Sequence, residues 1–472
     1  MGINAPHRIK NNQKQLLAMA AKEYDVIVIG SGSGLTISSY AASKGLKVAV
    51  IEDGPFGGTC LNRGCITSKM LIHAADVSEA VQRAHEWGIK SGGLKGLDWK
   101  KLQRWVWGFV NEDSKGIERG NRNAKNIDVY KGRARFTAEK TLEVNGKTLR
   151  GEKIFICAGA RPAIPHINGL EGSGYITSTE ALALSKQPKS MVIIGGGYIS
   201  AELGHFYSSI GTKVTLLSRG GRLVKNEDGE ISELFTKITA RKYDVMFMSD
   251  VQEVKGGRLK TVKFLHNGKR KTVKAEQLLI ATGVEPNTDD LHLHNANVQM
   301  DEKCFVKVNE FMETSAEGVW AIGDVAGKHL FKHSANLEAA VCARNALDGQ
   351  KIAVDYTAMP HAVFSSPQIA GAGFTEQELK KSGKKYLKGK YYYYKTAMGK
   401  AMEEKEGFAK ALVEPETGKI LGFHIIGPEA STLIHEVLVA MKNGLTANDV
   451  LKTVHIHPAL SEVVQRAFRN LK

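Results

Sequence analysis

Short apolar runs that do not alternate with polar residues recur along the chain, and several end in glycine. Residues 24–30 (YDVIVIG) are the first. A strand with one wet face alternates, so this run predicts a strand buried on both faces of a parallel sheet. A helix-length stretch with small residues follows, then residues 47–52 (KVAVIE), completing a βαβ unit. The pattern returns at residues 191–195 (MVIIG), a helix from about 198 to 210, and residues 213–217 (KVTLL). Two nucleotide-type folds are predicted. A polar helix near 98–122 and a β-rich piece at 127–152 read as elaborations of the first.

Residues 154–162 (IFICAGARP) and 278–287 (LLIATGVEPN) share one form and bracket the second unit, so they mark crossings between domains. Beyond residue 355 the pattern changes to strand-like segments at 361–364, 390–395, 408–413 and 420–426 and a helix near 432–443. This predicts a third, antiparallel α+β domain. The expected division is an extension at 1–22, a first domain at 23–163 with 288–352, a second at 164–287 and a third at 353–472. The fold class is α/β, with two Rossmann-like domains and a C-terminal α+β domain.

With 472 residues and 42% hydrophobic content, the chain can fill several cores, which excludes disorder and disulfide-stapled scaffolds. Lys plus Arg number 65 against 49 for Asp plus Glu, a formal charge of +16. Part of that excess is Arg8, Lys10, Lys14 and Lys22. Another part is a tract of lysines from Lys380 to Lys390, just ahead of four tyrosines. Basic residues beside aromatics suit nucleic acid, but lysines flanking a Tyr-rich strand more simply protect a sheet edge. No apolar run approaches the roughly 20 residues that span a bilayer, and no apolar stretch near the start precedes a small-residue cleavage site. A soluble, cytoplasmic protein is expected. Of the cysteines at 60, 65, 157, 304 and 342, only Cys60 and Cys65 are close in sequence.

Gly30, Gly32 and Gly34 follow a strand and precede a helix, the context in which a pyrophosphate approaches free N–H groups at a helix N-terminus. Where GxGxxG wants its third glycine the chain has Leu35, with Gly34 one position early, so helix–strand packing must differ there. Glu52 ends the next strand, where an acid can accept from a ribose hydroxyl. The second turn, Gly195 and Gly197 with the small Ser200, lacks that acid. Leu217 and Ser218 take its place, and Arg219, Arg222 and Lys225 follow, a cluster suited to the 2′-phosphate of NADPH.

Cys60 and Cys65 lie in GGTCLNRGC. On a regular helix they would stand about 140° apart around the axis, so a bridge requires a deformed turn. Lys69 lies four residues beyond Cys65 on the same helical face, where its charge favours a thiolate. No second cysteine pair completes a zinc site, and no metal is expected. His457, followed by Pro458 and Glu462, is a candidate base with a carboxylate to orient it, and His455 is its rival.

In this order the pieces resemble the class I pyridine nucleotide–disulfide oxidoreductases over nearly the whole chain from residue 24. The resemblance rests on GSGSG with Glu52, GGTCLNRGCITSK, GGGYISAE, ATGVEPN, TSAEGVWAIGDV and HIHPALSE. Dihydrolipoyl dehydrogenases, glutathione reductases, mercuric reductases and mycothione reductases share that scaffold. HIIGPEASTLI and IHPALSEVV look most like mycothione reductase. Mercuric reductase is disfavoured because no vicinal cysteine pair occurs near the C-terminus and His457 stands where that enzyme would lack this base.

The resemblance implies FAD in the first domain, with Asp324 at its ribityl or pyrophosphate region, and NADPH, or alternatively NADH, in the second. It also places Gly58, Thr59, Gly159 and Gly283 among the cofactor-binding residues. Cys60 would be the interchange thiol and Cys65 the thiol adjoining the flavin. Lys69 would pair with Glu202 near the flavin, and Tyr198 would cover the nicotinamide. His457 and Glu462 would come from the partner subunit of a homodimer. Three residues depart from the pattern: Arg63 between the cysteines, Thr67 for the usual proline and Ala459 for the usual threonine. Arg63 would favour an anionic disulfide if it faces the substrate, or else forms a surface salt bridge. The implied activity is two-electron transfer between NAD(P)H, FAD, the cysteine pair and a small disulfide or dithiol. The competing class is a catalytically idle redox sensor or a basic RNA-binding module on the same scaffold.

Overall fold

The computed structural model describes residues 21–90 and 92–472. The predicted N-terminal extension, with Arg8, Lys10 and Lys14, lies outside the described residues, and Lys22 opens the first strand. The chain forms two compact units. Among the described residues, one holds 21–62 with 109–161 and 284–355, and the other holds 63–108, 162–283 and 356–472.

The first unit is built on a seven-stranded sheet. Its strands run in the order Ile127–Lys131, Val48–Glu52, Lys22–Ile29, Lys147–Ile156, Thr141–Val144 and Arg135–Ala138. Val319–Ala321 is added parallel to Lys147–Ile156. Val26, Ile27 and Val28 are fully buried, as their unbroken apolar run predicts, and Ile29 is 5% exposed. The parallel register of Ile29 with Ile51 sets Gly30 and Glu52 beside each other at the carboxyl ends of their strands, and Gly30 N–H donates to Ile51 O at 2.8 Å. Ligands of open α/β sheets bind at that end. The polar helix of the sequence spans Trp99–Asn123.

In the second unit a parallel sheet runs Asp244–Met246, Lys213–Leu217, Ser190–Ile194 and Gln277–Ile280, with the helix Tyr198–Ser209 after its first strand in sequence. A three-stranded antiparallel sheet occupies residues 249–275. The C-terminal part is a five-stranded antiparallel sheet: His361–Val363, Ile369–Gly373, Ile420–Ile426, Phe408–Val413 and Leu387–Tyr392. The helices Ala430–Lys442 and Glu462–Arg469 share its core through Ile434, Val437, Val464 and Phe468. The architecture is thus mixed α/β with an α+β C-terminal part.

The Tyr-rich strand ends earlier than its composition predicts. Tyr393 turns inward, fully buried, with its hydroxyl donating to Pro428 O at 2.9 Å, and the chain leaves the sheet in a 3-10 turn. This strand is the sheet edge. Its lysines and those just before it are largely paired: Lys380 with Glu376 at 2.8 Å, Lys384 with Glu414 at 3.0 Å and Lys390 with Glu230 at 2.9 Å. That pairing supports edge protection over a surface for nucleic acid.

Candidate active site

In the first unit, glycine is required where backbone meets backbone. Gly30 has φ +106°, and a Cβ there would lie 2.3 Å from Cys157 O. Gly58, at φ +66°, would carry a Cβ 2.7 Å from the Cα of Gly32. Gly34 takes over the close-packing role of the missing third glycine. A Cβ on it would meet Val28 Cγ1 at 2.7 Å and Cys157 Sγ at 3.0 Å, so Leu35 need not be small.

The helix Gly34–Ser43 begins with no side-chain cap and no acid in its first turn, so no side chain competes with an anion at its positive end. Lys332 Nζ donates to Ser33 Oγ at 3.0 Å beside that terminus. Glu52, 8% exposed, accepts from Ser31 N–H at 2.8 Å, Ser31 Oγ at 2.7 Å and Gly54 N–H at 2.7 Å. Its position is therefore fixed, and its remaining lone pairs suit a ribose. Burial pushes the Asp324 carboxyl up to about 6 against the opposing charge of Lys332. A glycine cradle, an uncapped helix start and an oriented strand-end acid fit the dinucleotide FAD. Asn287 N–H donates to Gly159 O at 3.1 Å and holds that glycine at its turn.

The redox motif is broken at Gly64, as the predicted deformation requires. Cys60 lies in the helix Gly58–Arg63, Gly64 takes φ −148° and ψ −118°, and Cys65 opens the helix Cys65–Arg83. Asn62, 8% exposed, steadies the first helix by donating to Phe56 O at 2.9 Å and Gly58 O at 3.1 Å. Thr67, the departure from proline, donates through Oγ1 to Gly64 O at 3.0 Å and so caps the break. Thr59 and Arg63 are exposed. Arg63 has no ion pair among the described residues, so the salt-bridge alternative is not what the structure shows. Burial pushes the Cys157 and Cys342 thiols up, which keeps them protonated and unreactive.

In the second unit, Lys69 Nζ lies 2.9 and 2.8 Å from the two carboxylate oxygens of Glu202 and 4.5 Å from the centre of the Phe364 ring. Phe364 N–H donates to Glu202 Oε1 at 3.0 Å. Sequence reasoning missed Phe364, and no local pattern marks it. It likewise missed His205, 2% exposed on the Glu202 helix, whose Nε2 lies 2.8 Å from Asp76 Oδ1 on the Lys69 helix. The i to i+3 step from Glu202 to His205 and the i to i+7 step from Lys69 to Asp76 put each pair on one helical face, the only signal available.

The second glycine turn has the same build as the first. Gly195 has φ +137°, and a Cβ there would lie 2.1 Å from Ala281 O and 3.0 Å from Ser200 Oγ. Gly197 precedes the helix, which Tyr198 opens while remaining 43% exposed. Ser218 is buried at the strand end, Arg219 and Lys225 are exposed, and Arg222 is half-buried. None of the three cations has an acidic partner among the described residues. Ala163 N–H donates to Gly283 O at 2.9 Å at the crossing strand.

Also in this unit, His457 Nδ1 lies 3.2 Å from Glu462 Oε2, with the imidazole 70% exposed and Glu462 nearly buried. Burial opposes ionisation of Glu462, yet the His457, Ala459 N–H and Arg466 contacts hold its carboxyl below the usual range. The rival His455 is 6% exposed and held between Glu436 Oε2 at 3.0 Å and Thr453 O at 3.0 Å. His457 is the one that faces outward.

Among the described residues, no group of three or more His, Cys, Asp or Glu side chains is arranged to hold a metal ion, and no helix is long and apolar enough to cross a membrane. A family model for pyridine nucleotide-disulphide oxidoreductases matches residues 24–346, and the dimerisation domain of that family matches 359–468. Mycothione reductase of Mycobacterium tuberculosis (strain ATCC 25618 / H37Rv) is 37% identical over 95% of this chain and 99% of its own length. Dihydrolipoyl dehydrogenase of Geobacillus stearothermophilus is 35% identical over 95% and 96%. The HOCl-induced flavoprotein disulfide reductase RclA from Escherichia coli has a similar structure, with a TM-score of 0.86 and 28% identity, covering 95% of this chain and 100% of that one. The chain therefore belongs to the class I pyridine nucleotide-disulphide oxidoreductases and is a flavin disulfide oxidoreductase.

Proposed function

We propose that this protein is a cytoplasmic, homodimeric reductase that carries two electrons from NADPH to a small disulfide bearing anionic groups, through FAD and the Cys60–Cys65 pair. The observation that carries the nicotinamide preference is the cluster Arg219, Arg222 and Lys225, unpaired among the described residues after a strand that ends in Ser218 rather than an acid. Exposed Arg63, equally without an ion pair among them, supports an anionic substrate. Within this reading, residues 23–163 with 288–352 bind FAD, 164–287 bind the nicotinamide and 353–472 form the dimer interface.

Bound FAD supplies the two-electron relay between the nicotinamide and the dithiol. The chain's own residues then act as follows. The Cys60 thiolate attacks one sulfur of the substrate, breaking its S–S bond and forming a mixed disulfide. The departing thiolate takes a proton from His457, whose imidazolium Glu462 stabilises. Cys65 next attacks Cys60, releasing the second thiol and closing the Cys60–Cys65 bond. One disulfide is reduced and one dithiol oxidised, so the electrons balance. In this reading the Lys69–Glu202 pair serves the flavin and Tyr198 serves as the gate for the nicotinamide. His457 and Glu462 are expected to act on the partner subunit's dithiol. Supporting that, Val454 at 94% and Ile456 at 77% exposure, just before His457 in the chain, are apolar residues that a second copy would cover.

The test is a panel of disulfides and dithiols, each assayed with NADH and NADPH, for the wild type and Cys60→Ser. The expected result is NADPH-dependent turnover of an anionic disulfide, lost in Cys60→Ser while flavin reduction persists. Turnover only of dihydrolipoamide with NAD⁺ would instead place the protein with the dihydrolipoyl dehydrogenases, a reading that the relative 35% identical to this chain favours. Salt-dependent RNA binding without turnover would favour the binding module.

A further inference from the structure

The three cations that carry the NADPH reading sit on a loop whose backbone is strained and tied down. Val224, between Arg222 and Lys225, has φ +43° and is 5% exposed. A β-branched residue in the left-handed region is strained and persists only where its surroundings over-determine it. The surroundings here are explicit. Val224 N–H donates to Gly196 O at 2.7 Å, which laces the loop onto the second glycine turn. Leu223 N–H donates to Thr236 Oγ1 at 3.0 Å, and Ser232 Oγ donates to Leu223 O at 2.7 Å.

Immediately after the loop the chain is fastened to the C-terminal sheet and its first helix. Lys410, fully buried, donates to Asp228 Oδ1 at 2.8 Å and Glu376 Oε2 at 2.6 Å, and pairs with Glu230 at 2.8 Å. Glu376 N–H donates to the other oxygen of Asp228 at 3.0 Å. Gln377 bonds the backbone just beyond the loop twice, accepting from Gly229 N–H at 3.0 Å and donating to Glu227 O at 2.9 Å. His361 Nε2 lies 2.7 Å from Glu227 Oε2. A buried lysine answered by three carboxylates is expensive to build and adds little net stability over an apolar core, so what it supplies is a fixed geometry.

We propose that Lys410 and Gln377, through Asp228, Glu227 and Gly229, are positioning residues for cofactor choice: they hold the Arg219–Lys225 loop in the one conformation that presents its cations to a 2′-phosphate. The inference rests on the NADPH reading and extends it, since residues far along the chain then govern discrimination between the two nicotinamides without touching either.

The test is titration calorimetry of the purified holoenzyme with 2′,5′-ADP and with 5′-AMP, for the wild type, Gln377→Ala, Lys410→Met and Arg222→Ala. Gln377 is exposed, so its alanine variant removes the two bonds to Glu227 and Gly229 without emptying a core. Gln377→Ala is expected to weaken 2′,5′-ADP about fivefold, the scale of one lost hydrogen bond, and to leave 5′-AMP within about twofold. Lys410→Met should act in the same direction and more strongly. A merely structural role would lower stability without changing the ratio of the two affinities. An unchanged ratio in Gln377→Ala, with Arg222→Ala weakening 2′,5′-ADP, overturns the positioning role and leaves the NADPH reading standing. An Arg222→Ala protein that binds 2′,5′-ADP as the wild type does overturns the NADPH reading itself. If Lys410→Met does not fold, Gln377→Ala decides alone.

Discussion

Lys69 grips both oxygens of Glu202, at 2.9 and 2.8 Å, across two helices whose side chains meet nowhere near each other in sequence. Glu202 is 6% exposed, and it also accepts from the Phe364 N–H. Lys69 itself is 34% exposed, so water softens the loss. Lys69→Met is expected to lower stability by about 2 kcal/mol, and a cycle with Glu202→Gln should return a coupling of roughly 1–2 kcal/mol in urea unfolding. Additive single-variant effects would show that the pair contributes nothing beyond its separate packing.

What the chain's pattern revealed, and what it hid, divides by the range of the interaction. Residues 24–30 and 47–52 were legible because a run buried on both faces must be continuously apolar. The Gly64 interruption was legible because two cysteines five positions apart cannot meet on a regular helix. The strands at 408–413 and 420–426 fall where their apolar runs end. Phe364 was not legible: it meets Glu202 through a backbone N–H, which every residue except proline carries. Lys410 was equally hidden, since its partners Asp228 and Glu376 lie in other elements and a lysine in a strand reads as a solvated face. The role of Gly34 was half legible. The displaced glycine was visible, but only its contact with Val28 and Cys157 shows that it does the work of the residue after it.

Asp324 gives the protein a pH dependence of definite sign. Burial lifts its carboxyl to about 6 in the folded apoprotein, whereas in the unfolded chain it titrates near its ordinary 3.8. Between those values the folded state binds more protons than the unfolded one, so stability falls as pH rises through that window. The difference corresponds to about 3 kcal/mol lost by neutral pH. Asp324→Asn apoprotein should therefore lose that part of the pH dependence and be more stable than wild type at pH 7. It should also bind FAD more weakly if the carboxylate holds a ribityl hydroxyl. Identical pH profiles of the unfolding midpoint for the two proteins between about pH 4 and 7 would show that the carboxyl is already solvated in the native state.

His457 supplies the last prediction. Its Nδ1 is taken by Glu462 at 3.2 Å, and that carboxylate is fixed in turn by Ala459 N–H at 3.4 Å and Arg466 Nη2 at 3.4 Å. An Nδ1–H donated to Glu462 leaves the Nε2 lone pair facing outward, the tautomer needed to exchange a proton with a thiol. Ala459, in the place of a threonine, still supplies the backbone N–H, so the departure from the family pattern leaves this contact in place. His457→Gln should lower disulfide turnover by roughly 10²- to 10⁴-fold, the range of a lost general acid or base, with flavin reduction by the nicotinamide unchanged in stopped flow. Glu462→Gln keeps the shape and removes the charge, so it should cost less, about tenfold. Mixing inactive His457→Gln with inactive Cys60→Ser protein separates the two possible arrangements. If the imidazole serves the other subunit's dithiol, a heterodimer regains one intact site and turnover reappears, to at most about a quarter of the wild-type level after random exchange. If each subunit works alone, no mixture recovers activity.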